Sequence, residues 1–142
     1  MKKTIIILTL LNLYLFSDTL QRDDSAQTVY DSKTSLIWQD SKDAQELRLT
    51  HQEAIDYCTN LTIGDITTWR LPSLVELTSI VTPNKYNPSI DNIFQNTSRS
   101  GFYWTSDIVK GRSAAYYVRF DFGRDGSINM TSKNNVRCVY SR

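Results

Sequence analysis

The chain reads as an α+β domain: two capped helices lie in its middle, strands fill its last third, and a pair of cysteines can join them. Helices and strands grouped apart, rather than alternating, are the pattern of that class. Thr50 and Glu53 announce the first helix as a capping box, in which each side chain satisfies a backbone N–H of the other residue. Ala54, Ile55, Cys58 and Leu61 then recur at helical spacing, which turns Cys58 inward. Ser73 and Glu76 repeat the signature, and Leu74, Leu77, Ile80 and Val81 form a second stripe that stops before Pro83. Between the helices Trp69-Arg70-Leu71 is expected to be extended, because the residue before Pro72 avoids the helical region.

The remaining elements follow in order. TVYD and SLIWQD, separated by Ser32, Lys33 and Thr34, predict a hairpin with Leu36 and Trp38 on one face, Trp38 seeding the core. Residues 40–49 are charged and fit a loop or a helical turn. Residues 82–101 form the longest irregular stretch, with Ile90, Ile93 and Phe94 as its anchors. FYWTS, AAYYVRFDFG, SINM and NVRCVYS then read as strands, with a loop at DIVKGRS and a turn at Asp125-Gly126. Tyr116, Val118 and Phe120 fall on one side of the middle strand, and Tyr117, Arg119 and Asp121 on the other. Val136, Cys138 and Tyr140 share a face of the last strand.

Ahead of this domain, Lys2 and Lys3 precede an apolar run from Ile5 to Phe16, followed by Ser17-Asp18-Thr19. A basic start, an apolar core and small residues at the exit describe a secretory signal over residues 1–19, too short to span a bilayer. Residues 20–26 are expected to be a flexible lead-in and residues 27–142 the folded domain. No membrane span is expected after cleavage, so the protein is expected to be secreted or periplasmic. In an oxidising compartment two cysteines favour a disulfide over a metal pair or a redox couple. Closing a loop of about 80 residues is worth about 4–5 kcal/mol.

Charge is balanced overall but unevenly spread. Residues 18–98 hold six Lys/Arg against twelve Asp/Glu, and residues 99–142 hold eight against three. Such asymmetry forms either a basic face or ion pairs between the halves, and pairing is the simpler reading. An exported chain of balanced charge is not expected to bind nucleic acid.

Catalytic machinery is not expected. His51 is the only histidine and reads as an exposed turn residue beside a helix cap, and no free thiol remains to act as a nucleophile. No cofactor is expected. Trp69, Arg70, Pro72 and Glu76 read as a structural junction, with Arg70 pairing with Glu76 or Asp56. The binding candidates are Arg99, Lys110, Arg112, Arg119, Arg124 and Lys133, with Tyr103, Trp104 and Tyr117 near them in sequence. Arginine presents paired donors to sulfate and phosphate, and aromatic faces stack on sugar rings.

LIWQD, HQEAIDYCTNL, WRLPSLVELTSIV, FYWTSD and VRCVYSR, in that order, resemble the Lcl C-terminal domain family, named for a Legionella collagen-like adhesin. The resemblance covers residues 29–142. It implies a C-type lectin-like fold: two helices on a small twisted antiparallel sheet, with one disulfide from the first helix to the last strand, which Cys58 and Cys138 match. It further implies an extracellular, non-catalytic adhesion module for glycans or sulfated polyanions. An envelope protein-interaction or structural domain without a sugar site is the alternative. The family's namesake trimerises through a collagen-like stalk; here there is no Gly-X-Y repeat and only five glycines, so that route is not expected. Nor is a metal: Thr82-Pro83-Asn84 lacks the acid that calcium-binding lectins place before proline, and Asp91 is the only acid between Glu76 and Asp107.

Overall fold

The computed structural model describes residues 19–142. The expected secretory signal, apart from Thr19, lies outside the described residues. Nine strands and three helices follow in this order: β1 (Leu20–Asp23), β2 (Thr28–Asp31), β3 (Leu36–Gln39), α1 (Lys42–Glu46), β4 (Arg48–Leu49), α2 (His51–Asn60) and α3 (Leu74–Ser79). Then come β5 (Phe102–Ile108), β6 (Ala114–Arg119), β7 (Arg124–Asn129), β8 (Asn134–Asn135) and β9 (Val139–Ser141). The architecture is α+β with one disulfide, Cys58–Cys138.

Two features differ from the expected single sheet. The strands form a four-stranded sheet, β1-β2-β3-β9, and a five-stranded one, β4-β8-β5-β6-β7. Pairing is antiparallel except where β8 meets β5 in parallel at Tyr103–Asn135. Residues 20–26 are also not a loose lead-in. Leu20–Asp23 pairs with β2 along its full length, and Asp23 closes the turn by accepting from Ser25 N and Ala26 N.

Each capping box forms as its sequence dictates: Thr50 with Glu53 opens α2 and Ser73 with Glu76 opens α3. α2 buries Ala54 and Cys58, α3 buries only Leu77, and the charged 42–46 stretch supplies the extra short helix α1. The β6–β7 turn lies at Phe120–Gly123 rather than at Asp125-Gly126, which sit inside β7. Gly123 takes the left-handed φ of +64° that this turn requires, with Val81 and Ser89 packed against its Cα. Gly126 instead lies beneath the Tyr117 ring, where a Cβ would approach Tyr117 Cζ to 2.7 Å.

Strand alternation sends neighbouring β5 residues into two different cores. Tyr103 joins Val29, Leu36, Trp38, Leu77, Ile90, Phe94, Val118 and Phe120 between the two sheets. Trp104 joins Ala54, Cys58, Trp69, Leu71, Ala115, Val136 and Cys138 under α2. The disulfide crosses the second core, with Cα atoms 5.5 Å apart and both cysteines fully buried.

At the helix junction, Arg70 grips Glu76 with both guanidinium arms, Nη1–Oε2 at 2.8 Å and Nη2–Oε1 at 2.7 Å. Arg70 N and O also exchange hydrogen bonds with Val139, and Ser73 N donates to Glu76 at 2.8 Å. Trp69 is buried and donates Nε1 to Ile66 O, while Pro72 O accepts from Ser106 N. The Arg70 guanidinium, ahead of the Ser73 bonds, holds the Glu76 carboxyl below its ordinary value of 4.5. A depressed carboxyl stabilises the fold above its unfolded pKa, and that contribution is lost as pH falls through the folded one. Glu76→Gln should therefore cost about 1 kcal/mol at neutral pH, and the gap to wild type should close under acid. Urea unfolding across a pH series checks this; a gap that is the same at acid pH would show that the carboxylate charge is not the cause.

Candidate binding site

The binding candidates divide into groups once the strands are paired. Phe102, Arg119 and Arg124 lie directly opposite one another across β5, β6 and β7. One step along, Trp104, Tyr117 and Gly126 do the same. Because alternate residues share a face, these six positions form two rows on one side of the sheet. Trp104 is the end that α2 covers. It is fully buried, donates Nε1 to Leu49 O and meets the His51 ring edge-on at 5.2 Å.

The uncovered end of this face carries a layered column. The Phe102 and Tyr117 rings stack with centroids 4.4 Å apart and planes within 8°. Arg119 lies over the Phe102 ring at 4.9 Å. Its guanidinium also binds Asp121, through Nε–Oδ1 at 3.1 Å and a shorter Nη2–Oδ2 contact. Arg124, directly across from Arg119, is exposed and makes no ion pair among the described residues. Like charges placed opposite on adjacent strands repel, and Asp121 neutralises only one of them. The arrangement favours an anion beside Arg124, with the edge of the aromatic stack next to it.

Other candidates lie elsewhere. Lys110 and Arg112 belong to the β5–β6 turn, at the opposite end of β6 and about 20 Å from Arg119. Arg99 is exposed in the loop leading into Phe102. Lys133 is near enough to Glu53, at the start of α2, to help lower its carboxyl, behind the larger effect of the Thr50 bonds.

Several expectations need correction. Tyr103 and Trp104 cannot stack on a ligand, because both are at 0% exposure. The Tyr103 hydroxyl donates to Ala44 O and accepts from Ser98 N, and burial pushes its pKa up. His51 is not an exposed turn residue; it is buried, with Nε2 2.8 Å from Thr105 O. The charge asymmetry is not explained by pairing between the halves: among the described residues only Arg137–Asp40 bridges them.

Two groups of residues escaped the sequence reading. Phe102 does so because its partnership with Tyr117 and Arg119 depends on strand register. Arg137 does so because it hides in an apolar run, VRCVY, yet is fully buried and paired with Asp40 at 2.9 Å. Its contacts with Gln39 O and the Asp40 carboxylate, at the end of β3, exist only in the fold. Among the described residues no group of His, Cys, Asp and Glu is arranged to hold a metal, and no helix is long and apolar enough to cross a membrane.

Comparison with curated proteins finds no match. The family model described as the Lcl C-terminal domain matches residues 27–140, and therefore takes in the whole five-stranded sheet, the disulfide and the layered column, while β1 precedes it. The chain belongs to the Lcl C-terminal domain family.

Proposed function

We propose that this domain is an exported, non-catalytic binding module of C-type lectin-like fold that recognises sulfated or otherwise anionic glycans. The observation that carries the reading is the pair of opposed arginines beside a half-buried aromatic stack. The apolar C–H groups of a sugar can lie against the outer edge of the Phe102–Tyr117 stack, and a sulfate on it would accept the donors of Arg124. The lectin-like assignment is supported by a helix tied to the C-terminal strand region through Cys58–Cys138, with the sheets packed around it. The non-catalytic reading is supported by the packing roles of His51 and both cysteines. Export is the reading of the N-terminal sequence given above.

Heparin affinity at several salt concentrations tests the assignment. Binding should weaken as salt rises, since exposed charge contacts are screened. Arg124→Ala should lower affinity about fivefold without altering stability, whereas Arg112→Ala, at the far end of the sheet, should leave it unchanged. Equal affinity for wild type and Arg124→Ala would remove this face from the reading.

A second reading, an envelope protein-interaction domain, is favoured by Val75. It is 81% exposed on α3, beside Leu74 and Asp125, and Asp125 lies on the face of β7 opposite that of Arg124. Val75→Asp should then abolish partner binding and leave heparin affinity intact.

A further inference from the structure

Next to the arginine–aromatic column lies a second aromatic group with no role in the core. Tyr86, in the 82–101 loop, and Phe122, at the β6–β7 turn, are 64% and 59% exposed. They are far apart in sequence, yet their ring centroids are 6.5 Å apart. Exposing two large rings in contact with each other gains little for folding, because most of their surface stays in water.

The two loops that carry them are joined by hydrogen bonds. Asn87 N donates to Asp121 O at 2.9 Å and Ser89 Oγ to Phe120 O at 2.9 Å, while Thr82 N to Ser89 O at 2.9 Å closes the 82–89 segment on itself. A Val81–Ile90 bridge closes the base of the 82–90 segment, and buried Ile90 roots it in the core. Lys85 Nζ further braces the loop against Ile90 O and Asn92 Oδ1. The rings are thus held on braced backbone, which limits the entropy lost when a ligand settles on them.

Asp121 links the two aromatic groups. Its carboxylate holds Arg119 against Phe102 and accepts Phe122 N at 2.9 Å, while its carbonyl holds Asn87. One residue therefore positions the guanidinium of the first group and both loops of the second. Arg119 is the last residue of β6 and Phe122 lies beyond it in the turn, so the second pair of rings continues the face past the row of Phe102, Arg119 and Arg124.

We propose that Tyr86 and Phe122 form a second subsite of the same binding surface, so that the ligand is an extended anionic glycan chain rather than a terminal sugar. This rests on the glycan reading of the arginine–aromatic face. The anionic group is taken at Arg124 and the next rings of the chain lie over Phe122 and Tyr86. Asp121 is a positioning residue: its carboxylate holds Arg119 and its carbonyl holds the loop that carries Tyr86.

Heparin fragments of defined length, from disaccharide to decasaccharide, test the proposal on the full mature chain. Wild type should gain about tenfold in affinity between the shortest and longest fragments beyond what added binding registers supply, the size of one or two aromatic contacts. Tyr86→Ala/Phe122→Ala should lose that gain while binding the disaccharide as wild type does. Arg124→Ala should weaken all lengths in parallel. Both aromatic positions are exposed, so folding is preserved, and circular dichroism with unchanged urea midpoints verifies that. An unchanged length dependence in the double variant overturns the second subsite and leaves the first standing. Absence of binding by wild type to every fragment at low salt overturns the glycan reading and the subsite with it.

Discussion

Asp40→Asn should destabilise the domain by about 3–5 kcal/mol, the cost of leaving a buried charge without its partner. Asp40 is fully buried and its carboxylate sits between two guanidinium groups: Arg137 Nη1 at 2.9 Å and Arg22 Nη1 in closer contact. It also accepts Gln95 N at 2.8 Å and Asn96 N at 3.2 Å. The Arg137 Nη groups also donate to Gln39 O, Asn96 O and Thr97 Oγ1, each at 2.8 Å, and the guanidinium lies over the Phe94 ring at 4.9 Å. The pair therefore fastens three stretches distant in sequence: the end of β3, the 94–97 part of the long loop, and the approach to β9. An amide at position 40 keeps the volume and the acceptor oxygen but removes the charge that two buried or nearly buried arginines need. For a domain whose total stability is of order 5–15 kcal/mol, that is a large fraction. Arg137→Lys should fare no better, since an ammonium cannot reach four acceptors spread over a planar fork. Urea unfolding followed by tryptophan fluorescence measures both; a loss below about 1 kcal/mol for Asp40→Asn would mean that water already enters the site.

The parts of this fold that sequence made legible are those governed by local rules. Thr50 with Glu53 and Ser73 with Glu76 mark helix starts because capping involves residues three apart, and both boxes form. The first hairpin follows from alternation around a short polar turn, with Leu36 and Trp38 buried together. Inward-facing Cys58 follows from helical spacing. What stayed hidden depends on contacts between distant segments. Arg137 lies in a strand-like apolar run where a charged residue reads as a solvent-facing alternate. It is inside because Asp40, ninety-seven residues away, supplies its counter-charge.

The same distinction separates the basic residues. Arg99, Lys110, Arg112, Arg119 and Arg124 look alike in sequence, and only register distinguishes them. Moving the β6–β7 turn from Asp125-Gly126 to Phe120–Gly123 is what sets Arg124 opposite Arg119. A turn at Asp-Gly is favoured locally, but Gly126 is needed inside the strand to admit the Tyr117 ring, and Gly123 meets the φ demand instead. Tyr103 and Trp104 read as ligand platforms because aromatic residues near basic ones are ambiguous on their own. The two cores on either side of β5 claim both, leaving Phe102, at the strand's beginning, to the surface.

Removing the covalent clasp should have a comparable effect by a different route. Cys58→Ala/Cys138→Ala should lower stability by about 4–5 kcal/mol, because the bond closes a loop of separation 80 and so restricts the unfolded chain. Part of the loss acts on the native state: both sulfurs lie in the core shared by Trp69, Leu71, Trp104 and Val136, where their removal leaves a small void. The two contributions separate in the denaturation slope. An unfolded chain freed of its cross-link exposes more surface, so the urea m-value should rise as the midpoint falls. A void alone would lower the midpoint at constant slope. The arginine–aromatic face lies at the other end of the sheet from this core's α2 cover, so under conditions where the double variant remains folded its heparin affinity should equal that of wild type. A parallel loss of affinity with the domain still folded would show that the clasp shapes the binding face as well as holding the fold.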